Sequence, residues 1–93
     1  MDELVSSKEI ERLDIYRIVG TRVAFSLHAD EGQQPKTIVR IYRCDKQDNA
    51  VVPLGIVTVH GTIVNLTESK VIILNRIELW FMQHRAHVRL LRE

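Results

Sequence analysis

The groups in this 93-residue chain with the most chemistry to offer are four histidines, one cysteine and the arginines among its thirteen Lys and Arg side chains. His84 and His87 stand three residues apart in a segment of helical pattern, close enough to share a metal ion. Two imidazoles do not complete a zinc site, and no cysteine or carboxylate stands at ligand spacing from them, so no metal is expected. Cys44 sits in YRCDKQ, where nothing would stabilise a thiolate, and it reads as a plain strand cysteine rather than a nucleophile. The four glycines are scattered and form no phosphate-cradling loop. The expectation is a chain that is not an enzyme and carries no cofactor.

Binding chemistry is better represented. Arg22, Arg40, Tyr42, Arg43 and His60 fall on expected strands. Period-two alternation puts Arg40 and Tyr42 on one face and Arg43 on the other. Cations beside an aromatic ring can hold phosphates and stack a base, so Arg22, Arg40, Tyr42 and His60 form the candidate nucleic-acid face. Near the C-terminus, Arg85, Arg89 and Arg92 recur at helical spacing. They suit either the dipole at a helix end or contact with phosphates or an acidic partner. The apolar residues around them, including Trp80, Phe81, Met82, Val88 and Leu91, cover too much of a helix for one groove. With Arg85 and Arg89 they make a candidate partner-binding surface, because Trp and Met are common interface anchors.

The elements that must position these groups follow from pattern. Ser6-Ser7-Lys8-Glu9 is a capping box, and it predicts a short N-terminal helix over roughly residues 7–15. Residues 16–28 alternate with period two and read as a strand, in which Gly20 marks a bend or bulge. Residues 37–44 are a second strand, and Asp45–Asn49 is a turn. A short third strand ends near Pro53. Two more are expected over roughly 56–65, where Gly61 is a bend, and 70–80, joined at Thr67-Glu68-Ser69. A C-terminal helix over 81–93 completes the order.

Composition bounds the whole. The balance of 45% hydrophobic and 27% charged residues suits one globular domain over 1–93, and a net charge of +1 leaves any basic site to local clustering. One cysteine allows no internal disulfide, and no apolar run approaches a membrane span, so an intracellular location, nucleus or cytoplasm, is expected with no membrane contact. Asn65-Leu66-Thr67 matches a glycosylation sequon, and without a secretory signal it is read as chance.

GIVTVHGTIVNLTESKVIILNRIELW resembles the last two strands of an OB-fold (oligonucleotide/oligosaccharide-binding) domain, in its V-x-G-T-I strand end, short turn, alternating aliphatics and R-I-E. IYRIVGTRVAFSL resembles the first OB strand of small subunits of the replication-protein-A type and of telomere-capping assemblies. The resemblance implies a mainly β fold: a small five-stranded antiparallel barrel over 16–80, with the N-terminal helical segment 1–15 and the C-terminal helix 81–93. It implies a non-catalytic accessory subunit of a single-stranded nucleic-acid-binding assembly, with a protein partner or second copy on the C-terminal helix. The acidic glycine turn usual between strands two and three is replaced by DKQDN. VHGTIVNLTESKVIILNRIEL also resembles the strand pair of an Sm-like barrel. The alternative is therefore a protein-interaction module, OB or Sm-like, that makes no contact with nucleic acid.

Overall fold

The computed structural model of the protein describes residues 4–7, 15–45 and 51–85. The fold is mainly β. Five strands run β1 (Leu4–Ser7), β2 (Ile15–Ile18), β3 (Val23–Asp30), β4 (Lys36–Cys44) and β5 (Val51–His60), followed by one helix, α1 (Leu66–Gln83). Every neighbouring pair is antiparallel, and the sheet order is the chain order, a meander with β1 and β5 at its edges.

Several expectations are corrected. The sheet is open among the described residues: no pairing joins β1 to β5, so the closed barrel is not formed. The strand expected over 70–80 is helix, and so is the turn expected at Thr67-Glu68-Ser69. The helix expected only from Phe81 onward is already about four turns old there, and it ends at Gln83. At the N-terminus, Leu4–Ser7 is a strand paired with Ile15–Ile18, so no helix begins at Ser7 and none includes Ile15. The remainder of that expected helix lies outside the described residues, as do 46–49 of the expected turn and 86–93 of the expected C-terminal helix.

The reason for α1 lies in a longer window than the aliphatic run Val71–Leu74. Ile73, Ile77 and Trp80 recur at four and three residues and are all buried, which a strand cannot do with residues an odd number apart. Asn65 starts the helix: its Oδ1 accepts from the backbone N–H of Thr67 at 2.9 Å and of Glu68 at 3.4 Å. Asn65→Ala is therefore expected to cost about 1 kcal/mol in urea unfolding, the usual loss of an N-cap. His84 closes the other end, with its backbone N–H on the carbonyls of Trp80 and Phe81 and its ring stacked on the Trp80 indole at 4.1 Å.

Strand expectations fare better in the middle of the sheet. The expected strand 16–28 is a hairpin, β2 and β3, turning at 19–22, where the Thr21 hydroxyl donates to the Ile18 carbonyl at 2.7 Å. The strands expected on either side of Gly55 are one strand, β5. A bulge opposite Ile41 and Tyr42 absorbs the break: Gly55 pairs with Ile41 and Pro53 with Tyr42, leaving Leu54 as the extra residue. Pro53 is tolerated because β5 is an edge strand. Gly61, at φ +88, ends β5 in the left-handed region that favours glycine.

Helix α1 covers one face of the sheet. Phe25, Val39, Ile41 and Val59 pack there with Ile73, Ile77 and Trp80. The helix packs tightly against Gly55, where an added Cβ would collide with the Trp80 indole. Thr37 fixes the connection into α1: its buried hydroxyl donates to the Gly61 carbonyl at 3.0 Å and accepts from the Ile63 N–H at 3.1 Å. Thr37→Val leaves both partners short of a bond, so roughly 1–3 kcal/mol should be lost in the same unfolding assay.

Candidate functional site

The sheet face opposite α1 is the first candidate surface. Alternation and register place Arg17, Ala24 and Tyr42 in one row across β2, β3 and β4. The next row holds Ile15, Ser26, Arg40 and Ile56, and the row after it His28, Ile38 and Thr58. Lys36 and His60 pair at the far end. Arg40, Tyr42 and His60 therefore share this face, as their spacing suggested, and Arg43 lies on the other. Arg22 sits in the β2–β3 turn, where its backbone carbonyl accepts from the Cys44 N–H at 2.7 Å and its side-chain Nε is buried without a hydrogen bond among the described residues.

The only acid in strands β2 to β5 is Asp30, and Lys36 lies 3.6 Å from its carboxylate. The face is thus cationic, with Arg17 and Arg40 exposed. A groove of about 310 Å³ opens at the bulge, lined by residues that include Arg40, Tyr42, Pro53 and Ile56.

Tyr42 does not offer a ring to a base. It is 7% exposed, and its hydroxyl lies 3.1 Å from the Ser26 hydroxyl. Among the described residues the other rings are occupied as well. Phe25 is buried and stacks on Tyr16, and Trp80 is in the core against Phe81. Alternation assigns a face, but it carries no information about how far neighbours cover that face.

A hydrogen-bonded chain on this face was not anticipated from sequence. Ser26 Oγ lies 2.8 Å from His28 Nε2 as well as against Tyr42. Residues 26 and 28 share a face by period two, which was the available signal. A neutral His28 lets the chain run in one direction, Tyr42 donating to Ser26 and Ser26 donating to Nε2. Desolvation, reinforced by the Arg40 charge, holds the His28 pKa below its ordinary 6.5. In the window between the two values the unfolded chain binds more protons than the folded one. Stability should therefore fall as pH drops below about 6.5, and His28→Gln should flatten that part of the profile of unfolding midpoint against pH.

Cys44 is buried, and burial raises its thiol pKa; the Arg17 guanidinium, acting through charge and a hydrogen bond, pulls the other way. This is the environment of a protonated strand thiol rather than of an activated nucleophile. Among the described residues no group of three or more His, Cys, Asp or Glu could hold a metal ion.

The second surface is the far side of α1. Of the residues expected to anchor a partner, Trp80 is instead 8% exposed in the core, and Phe81 is half-buried against it. Met82 and Arg85 are exposed, whereas Val88, Arg89 and Leu91 lie outside the described residues. Val71, Ile72 and Leu79 are exposed beside Met82. Sequence reasoning missed these three because it set 70–80 in a strand. No helix among the described residues is long and apolar enough to cross a membrane.

No protein-family model matches the chain, and neither the curated proteins nor the solved structures compared with it contain a match.

Proposed function

We propose that the protein is a non-catalytic assembly module that docks another protein chain through the outer face of α1. One observation carries this reading. The inward stripe Ile73, Ile77 and Trp80 already satisfies the sheet, yet Val71, Ile72, Leu79 and Met82 stand in solvent on the same helix. Grouped apolar exposure of that kind has no use within the domain and suits an interface. The test compares the wild type with Leu79→Asp for solution mass and for proteins retained on an affinity tag. Loss of self-association or of a retained protein supports the reading. Two monodisperse monomers that retain the same proteins would sink it.

A second reading follows the likeness to OB-fold subunits of single-stranded nucleic-acid assemblies. It is favoured by the exposed cations Arg17 and Arg40 and the exposed His60 on the sheet face opposite α1, beside the buried cluster of Ile15, Ala24, Tyr42 and Cys44. Without an accessible ring, such binding would rest on phosphate contacts, so it should be weak and strongly salt-dependent. Titration of a labelled single-stranded oligonucleotide should show affinity falling with salt, and falling again in Arg40→Ala. Absence of binding at low salt would remove this reading and leave the first untouched.

A further inference from the structure

The far side of α1 carries a regular seam. Glu68, Ile72, Asn75, Leu79 and Met82 are all exposed and succeed one another at steps of four, three, four and three residues. That is the heptad spacing of a helix pair, narrower than the broad stripe a helix needs to cover a sheet. Ile72, Leu79 and Met82 are 51%, 49% and 60% exposed, enough in each case for a partner helix to cover. The sheet-facing stripe of Ile73, Ile77 and Trp80 lies on the opposite side of the helix, so the seam and the core do not compete.

We propose, resting on the assembly reading above, that the occupant of this seam is a second copy of the chain, with the two α1 helices side by side and parallel. Asn75 is the first reason. It is the one polar residue in the seam between Ile72 and Met82, and it would be left unpaired against a purely apolar partner. Its amide both donates and accepts, so against its own counterpart across a two-fold axis each supplies what the other lacks. Pairing of the two amides fixes the register, because any shift sets each Asn75 against an apolar or charged seam residue.

Charge at the flanking positions is the second reason, and it favours one direction. Arg76 and Gln83 flank the seam on one side, and Val71 and Glu78 on the other. An antiparallel match that sets Ile72 on Met82 and Asn75 on Leu79 brings Glu78 against its own counterpart, and Arg76 against its own. Both contacts are repulsive. In the parallel match each seam residue meets itself, Glu78 lies beside Gln83 of the other copy, and Arg76 lies beside Val71. No like charges meet at these flanking positions; the like charges that do meet are the two Glu68 at the first turn of the seam. The result is a layered arrangement in which the two helices lie between the two sheets.

The experiment uses the full chain carrying Cys44→Ser, with Met82→Cys added. Light scattering should give twice the chain mass, and a mild oxidant should link Met82→Cys to itself. Adding Leu79→Asp should abolish the link and weaken association by roughly a hundred-fold or more, since two buried leucines are lost per pair. Circular dichroism should stay unchanged. A monomeric mass across a concentration series into the hundred-micromolar range overturns the proposal. So does a chain that cross-links only when Ile72→Cys and Met82→Cys copies are mixed, which is the antiparallel outcome. A monomer that holds a different protein, lost in Leu79→Asp, removes the second copy and keeps the assembly reading. A monomer that holds nothing removes both.

Discussion

Gly55→Val is expected to remove much of the stability of the fold. At this position the Trp80 indole of α1 lies directly on the strand, and even a Cβ would overlap it. Both lie in packed surroundings: Ile41 pairs with Gly55 across the bulge, and Trp80 is 8% exposed. The valine must displace the indole or lift the helix, at a cost on the order of 3 kcal/mol, the upper part of the overpacking range. Trp80→Ala, approached from the other side, should cost about 3–5 kcal/mol by leaving a cavity. Against a total of roughly 5–15 kcal/mol, either change can unfold a marginal domain. The pair also makes a sharper prediction. Trp80→Ala vacates the space that valine needs, so the double variant should be more stable than the sum of the two by about 1–3 kcal/mol. Equilibrium unfolding of the four proteins measures this coupling, and strict additivity would show that the two sites do not touch.

The Gly55–Trp80 contact also shows what the sequence concealed. Strands β3 and β4 were legible because Val23, Phe25 and Leu27, and Arg40 and Tyr42 against Arg43, alternate without interruption. Residues 66–83 were not. Val71–Leu74 is aliphatic and rich in β-branched residues, which favours a strand in a short window. The helix is fixed by features spread more widely: the Asn65 cap, Glu68 in the first turn, and the spacing of Ile73, Ile77 and Trp80. Packing of that stripe on the sheet outweighs the few tenths of a kcal/mol per residue that β-branching costs a helix. The same error hid the seam, since a strand would have placed Ile72 and Leu79 on opposite faces. Tyr42 is buried in a cluster with Ile15, Ala24 and Cys44, residues of three strands that no local pattern brings together.

Ile72→Asp combined with Leu79→Asp is expected to have the largest effect on association. Each aspartate replaces an exposed apolar side chain, so the isolated fold loses little, within about 0.5 kcal/mol. In a docked helix the same groups would be charges desolvated without partners, and association should fall by roughly a thousand-fold or more. Sedimentation of the variant beside the wild type reads the difference directly. Ile73→Asp serves as the contrasting change one residue away: it buries a charge in the core and should unfold the chain rather than dissociate it.

The central claim is that α1 has two faces with different tasks, one holding the domain together and one open to another chain. Urea unfolding of the adjacent variants Leu79→Asp and Trp80→Asp, at protein concentrations low enough for the chain to be monomeric, tests it most directly. The account predicts a midpoint near that of the wild type for Leu79→Asp and loss of the cooperative transition for Trp80→Asp. Comparable destabilisation by both, or a greater loss from Leu79→Asp, would contradict it.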